Sequence, residues 1–206
     1  MRLIRSYFPE FTPLQLERFH ELLMTIPHLN LQVNVISRKD IGALEERHVL
    51  HSLSIARKFS FHPGSTVIDA GTGGGFPGIP LAICFPEVRF TLVDSIGKKI
   101  RMVQRLAEGL GLENVTPVQS RLEELNLKAD FVVSRAVTNF SKLHQWTGPL
   151  IRPGRKSNLP NGLISLKGGD LREELQPFGD RIQVFPISAW FREPFFSTKM
   201  IVYLKK

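Results

Sequence analysis

The chain has one cysteine, six scattered histidines and no run of 18 apolar residues in its 206 positions. A lone cysteine excludes a disulfide framework and a cysteine-rich zinc site. Scattered histidines leave no metal-ligand spacing, so no metal is expected. Residues 1–18 hold no apolar run long enough for a signal peptide, and nothing later is long enough to span a bilayer. The expectation is a soluble, cytoplasmic monomer with no membrane partner.

What is present is a real core and an uneven charge. Hydrophobic residues make up 42% of the chain, which excludes a disordered tail, and the length suits one ordinary domain with a small appendage. The net charge is +8. Residues 1–64 contribute +2, residues 65–150 contribute +1 and residues 151–206 contribute +5. The densest basic run, Arg152, Arg155 and Lys156, lies in a stretch rich in Pro, Gly and Asn that reads as an exposed loop. Such a loop is either a solvated face or a polyanion contact.

Hydrophobic periodicity divides the chain near Pro63-Gly64, into a helical N-terminal extension (1–63) and an α/β domain (64–206). Thr12-Pro13 reads as a helix start, and Leu16, Phe19, Leu22, Leu23 and Ile26 share the face that follows. Pro27 is expected to end or kink that helix. Asp40 is expected to cap a second one, with Ile41, Leu44, His48 and Ser52 on one face. Beyond residue 64, strands are read at 66–69, 89–94, 115–118, 130–134 and 163–167, with two more at 180–185 and 199–204. Helices are read at 79–85 and 97–110. Alternating short strands and helices imply a mainly parallel, Rossmann-like sheet.

The strongest motif is Asp69-Ala-Gly-Thr-Gly-Gly-Gly75, directly after the first strand. A literal G-x-G-x-x-G runs from Gly73 to Gly78, but it starts two residues late and contains Pro77. The better frame is D-x-G-x-G-x-G, and its acid selects the ligand. A carboxylate would repel a dinucleotide pyrophosphate but suits S-adenosylmethionine, which has no phosphate and carries an ammonium and a sulfonium. Gly71 and Gly73 allow the backbone to approach the ligand. Asp94 ends the second strand, where such domains place an acid on ribose hydroxyls. Alone, it reads equally as a helix cap. Glu123 sits where an adenine edge would lie, or is a solvated charge beside Glu124.

The motif therefore implies an S-adenosylmethionine-dependent methyltransferase, and the acceptor is narrowed by what is missing. Pyrimidine C5 chemistry needs a nucleophilic cysteine, and Cys84 sits among Ala82, Ile83 and Phe85 like a core residue. Exocyclic amine chemistry uses an Asn/Asp-Pro-Pro-Tyr-type turn, and the corresponding place reads Ser134-Arg-Ala-Val137. A ring nitrogen such as guanine N7 remains, because its own lone pair attacks and no general base is needed. Arg135 follows the fourth strand, where it would contact the cofactor or orient the base; an ion pair to Asp130 or Glu123 is the alternative. A methyltransferase of small molecules or proteins, and a non-catalytic RNA-binding assembly factor, are the competing readings.

Longer motifs then point to a family. Asp69-Ala-Gly-Thr-Gly-Gly-Gly-Phe-Pro-Gly-Ile-Pro-Leu81, Leu92-Val-Asp-Ser-Ile-Gly-Lys-Lys99, Val118-Gln-Ser-Arg-Leu-Glu-Glu124, Ser134-Arg-Ala136 and Leu166-Lys-Gly168 together resemble the bacterial glucose-inhibited division protein B family. The resemblance covers nearly the whole chain. It implies a methyltransferase that makes N7-methylguanosine in 16S ribosomal RNA, with that RNA or the small ribosomal subunit as partner. It implies cofactor contacts at Gly71, Phe76, Leu122, Glu123 and Arg135, with Asp94 on the ribose and Ser95 beside it. Lys98, Arg101 and Lys167 are RNA-side candidates, joined by Arg152, Arg155 and Lys156. In the extension, Asn34, Arg38, Arg47, His48 and Ser52 resemble a family segment whose Asp is His51 here. A family aromatic pair appears as Leu29 and Val33, which removes stacking there. His48 reads either as a buried, hydrogen-bonded structural residue or as one that packs over the cofactor mouth and helps hold the base.

Overall fold

The computed structural model describes residues 1–37 and 39–206; Arg38, named above, lies outside the described residues. Two helices open the chain, α1 (Arg2–Tyr7) and α2 (Pro13–Val33). Thr12 starts α2 through a capping box: its hydroxyl accepts the Gln15 amide, and the Gln15 side chain accepts the Thr12 amide. Pro27 neither ends nor breaks this helix, contrary to the sequence expectation. Phe19, Leu22, Ile26 and Asn30 are buried along one face on both sides of it, and that packing outweighs one lost backbone bond. The Asn30 side chain accepts from the Val35 and Ile36 amides and donates to the Ile36 carbonyl, folding the chain back after α2.

Asp40 does not cap a helix by its side chain. It accepts from Ser37 and from Arg47 at 2.7 Å instead. The chain then makes a π-helical turn over Glu45–Leu50 that runs into α3 (His51–Lys58). Wide turns of this kind are uncommon and concentrate at functional sites.

After residue 64 the elements are β1 (Thr66–Ala70), α4 (Gly78–Cys84), β2 (Arg89–Asp94), α5 (Gly97–Gly109) and β3 (Val115–Gln119). There follow β4 (Phe131–Arg135), α6 (Phe140–Thr147), β5 (Gly162–Gly168), α7 (Arg172–Leu175), β6 (Ile182–Pro186) and β7 (Lys199–Lys205). The sheet order is β3-β2-β1-β4-β5-β7-β6. β3, β2, β1, β4 and β5 run parallel, while β7 is antiparallel to both β5 and β6. The strand order reverses between β1 and β4, which opens a crevice at their carboxyl ends.

Each sheet face is covered. Phe90, Phe131 and Tyr203 pack against Ile4, Phe19, Leu22 and Leu50 of the N-terminal helices, so the extension shares one core with the sheet. Ile68, Val132 and Leu163 on the other face meet Phe140, Leu143 and Phe178. Pro63-Gly64 lies in the turn before β1. No helix among the described residues is long and apolar enough to cross a membrane.

Candidate active site

The loop after β1 is built around a buried acid. Asp69 is fully buried; Oδ2 accepts from the Thr72 hydroxyl at 2.6 Å and from the Gly78 amide at 2.8 Å. Gly78 is the first residue of α4, so the carboxylate already occupies the helix end a pyrophosphate would need. A Cβ at Gly78 would come 2.7 Å from Asp69 Oδ2. Burial pushes the Asp69 carboxyl up to about 6, opposed by its bonds from Thr72 and Gly78. Its Oδ1 is the one buried carboxylate oxygen without a partner among the described residues. Asp69 therefore sits behind the glycine loop and shapes it, and does not itself line the cleft.

In front of the loop lies a cleft of about 430 Å³. Its walls include Gly71, Asp94, Ser95, Leu122, Glu123 and Val137, with Val93, Ile96, Lys99 and Trp146. That size and its mixture of apolar walls with a few polar groups suit a nucleoside-sized ligand. Gly71 has φ +70°, and a Cβ there would come 2.5 Å from Val137 Cγ2. Asp94 is 8% exposed and accepts the amides of Gly73 at 3.1 Å and Ile96 at 2.9 Å. Gly73 thus orients Asp94 and does not line the cleft. Lys99 Nζ stands 3.5 Å from Asp94 Oδ2. The sequence pattern missed this pairing, although Asp94 and Lys99 five residues apart around a helix start were its signal. Glu123 lies at the rim beside Arg121, 3.8 Å away.

Beside the cleft, three residues from three parts of the chain meet. Arg135 Nη2 lies 2.9 Å from His48 Nδ1, and Nη1 donates to the Arg47 carbonyl at 3.3 Å. The guanidinium sits 5.2 Å from the Phe76 ring centroid, and His48 meets the same ring edge-on at 5.4 Å. Phe76 is buried beneath the pair as a support, outside the cleft wall. Arg135 makes no ion pair with Asp130 or Glu123. A guanidinium only donates, so His48 Nδ1 accepts and the ring proton sits on Nε2. Burial, reinforced by Arg135, pushes His48 down to about 3, so the imidazole is neutral at pH 7. Arg135 itself is lowered to about 10 by burial and stays charged.

Around this pair, Ser52 is buried and donates to the His48 carbonyl at 2.7 Å. Asn34 ends α2 in a left-handed conformation, φ 53°. His51 is buried against Phe195 and Phe196, and its Nε2 has no partner among the described residues. It therefore does not restore on that side any bond the family's Asp would make. Leu29 and Val33 pack against the core. Phe195, which the sequence did not suggest, has Arg47 5.6 Å and Lys199 4.9 Å from its ring centroid. No spacing signal could have joined residues 47, 195 and 199. Burial pushes the Cys84 thiol up to about 12, which fits a packing residue and not a nucleophile.

The proposed RNA-side residues separate into three places. Lys98 and Arg101 are exposed on α5, at the cleft edge of the sheet. Lys167 is not a free cation: Nζ donates to the Thr138 carbonyl and to Glu174, both at 2.7 Å, with its side chain 13% exposed. It ties β5 to α7, which corrects its assignment as an RNA contact. Arg152, Arg155 and Lys156 are exposed at the opposite edge of the sheet, where the parallel strands begin. Among the described residues no cluster of His, Cys, Asp and Glu could hold a metal.

The strand order and the cleft over a D-x-G-x-G-x-G loop define the Rossmann-like methyltransferase class. Two solved structures share the fold: a SAM-dependent methyltransferase from Aquifex aeolicus (TM-score 0.59, 17% identity, 82% of this chain and 98% of that one), and a SAM-dependent O-methyltransferase from Thermotoga maritima (TM-score 0.57, 15% identity, 81% and 69%). Within the class, residues 15–189 match the family described as rRNA small subunit methyltransferase G, and the chain belongs to it. Relatives called ribosomal RNA small subunit methyltransferase G are 50% identical in Christiangramia forsetii, over 99% of this chain and 96% of that protein, and 50% identical in Porphyromonas gingivalis, over 98% and 92%.

Proposed function

We propose that this protein transfers a methyl group from S-adenosylmethionine to N7 of a guanine in 16S ribosomal RNA, acting as a cytoplasmic monomer. The cofactor supplies a methyl group activated by its sulfonium. The residues present fit such a ligand: apolar walls at Val93, Ile96 and Leu122 suit an adenine, and the Asp94 carboxylate suits ribose hydroxyls. Asp69 on the Gly78 amide disfavours a phosphate there. Lys99 would share Asp94 with the ribose.

The observation that carries the reading is the neutral His48 held by Arg135 beside the cleft. An imidazole pushed to about 3 is a poor base at pH 7. That suits an acceptor with a free lone pair and no proton to remove. The N7 lone pair forms the new N–CH3 bond as the S–CH3 bond breaks, and no proton moves. Arg135 and the His48 Nε2–H supply donors that orient a purine edge, so catalysis rests on positioning and electrostatics.

The test is to incubate the protein with isotope-labelled S-adenosylmethionine and 16S RNA, free or in small subunits, and digest the RNA to nucleosides. Labelled 7-methylguanosine is the expected product. A different labelled nucleoside, or label only in protein or small molecules, overturns the reading.

A further inference from the structure

At the edge where the parallel strands begin, six exposed cations gather: Arg89, Lys128, Arg152, Arg155, Lys156 and Lys205. Their placement follows from the backbone. Arg89 opens β2. Lys128 lies just before β4, and the Arg152 amide donates to the neighbouring Ala129 carbonyl. The Lys156 carbonyl accepts from His62 and Ser65, directly ahead of β1. Lys205 pairs with Gly162, the first residue of β5.

None of the six has an ion-pair partner among the described residues. Asp130, just ahead of β4, is buried and committed to Thr66 and Asn161. Glu87, Glu113 and, just ahead of β6, Asp180 are exposed acids at this edge. Arg89, Lys128 and Arg152 also border a groove of about 390 Å³ on the sheet, which includes Thr91, Asn114 and Thr116. Unneutralised cations around a polar groove match a chain of phosphates. A membrane surface would need an apolar wedge as well; Leu127 is the one large exposed apolar side chain lining this groove.

We propose that this edge is a second RNA-binding surface, which grips the sugar-phosphate backbone of the substrate RNA away from the methylated base. Strands of five to seven residues separate it from the cofactor cleft, about 16–23 Å at some 3.3 Å per residue. Its phosphates therefore belong to a different stretch of RNA from those flanking the target base. The proposal rests on the RNA-methyltransferase reading above, and it adds where the RNA is held.

The test compares the wild type with an Arg89→Gln/Arg152→Gln/Lys156→Gln variant, and with Lys156→Glu alone in case the triple variant folds poorly. RNA binding is followed against salt, S-adenosylmethionine binding by calorimetry, and methyl transfer to small subunits as KM and kcat. The triple variant is expected to lose about 2.1–2.7 from the slope of log affinity against log salt, at about 0.7–0.9 per phosphate contact. KM should rise about tenfold or more, with kcat and cofactor affinity unchanged, and Lys156→Glu should move the same quantities less. Unchanged slope and KM overturn the proposal. So does a loss confined to binding of phosphatidylglycerol vesicles, with RNA binding intact. Wild-type protein that binds RNA without methylating it would overturn the enzymatic reading, and the salt slopes would still decide this surface.

Discussion

The two edges of the sheet both carry cations and use them differently. At the carboxyl edge, Lys99 faces Asp94, Lys167 is tied to Glu174, and Arg135 is fixed by His48 and the Arg47 carbonyl, while Lys98 and Arg101 of α5 stay exposed. At the amino edge, Arg89, Arg152 and Lys156 reach solvent without an acid to meet them. Partnered cations are immobilised and define a site; unpartnered ones remain available to an outside anion. The difference explains why net charge along the chain was a poor guide to where chemistry occurs. The nearly neutral segment 65–150 carries the cleft, while much of the excess positive charge lies far from it.

The comparison breaks most readily at the glycine loop. Gly71→Val places a side chain against Val137 at a left-handed backbone position and should lower cofactor affinity by roughly a hundredfold or more, as the clash and the strained φ act together. Calorimetry reads it directly, and RNA binding at the amino edge should be untouched. Arg135→Ala should lower kcat by about a hundredfold, the scale for removing one preorganised donor, with KM for RNA changed little; a pure KM effect would make Arg135 an affinity residue.

Smaller effects sharpen the same contrast. Lys167→Ala should cost about 2 kcal/mol in urea unfolding, because it leaves the partly buried Glu174 without its cation and with only the Phe140 amide as donor, while the salt dependence of RNA binding stays as in the wild type. His48 adds a pH term. Its folded value of about 3 lies below the ordinary 6.5, so the unfolded chain binds the proton more readily. The stability from keeping it neutral is fully present above 6.5 and is lost as the pH falls toward 3. His51 is depressed in the same direction by burial. Urea unfolding of His48→Gln at pH 7 and pH 5 should show a smaller difference between the two than the wild type, though not none.

Every strand was legible to within a residue or two; the central β1, β4 and β5 are buried on both faces and leave continuous hydrophobic stretches, while β3 and β6 are half-exposed and carry a weaker signal. The glycine loop and Asp94 were legible because backbone approach and strand-end position constrain residue type directly. What stayed hidden depends on distant packing. Pro27 continues a helix because Ile26 and Asn30 are anchored on either side of it. Lys167 looked like a free cation until α7 brought Glu174 to it. The Arg135–His48 pair joins residues far apart in the chain, and the π-helical turn that presents His48 left no mark in the spacing. The 152–161 loop gave its exposure in the sequence but not its edge of the sheet.

The central claim is that the carboxyl edge positions an acceptor and moves no proton. Single-turnover methyl transfer to small subunits, measured in light and heavy water at matched acidity, tests it most directly. Equal rates are predicted, since N7 attacks with a free lone pair and His48 stays neutral throughout. A marked slowing in heavy water would mean that a proton is in flight in the transition state, and would contradict the account.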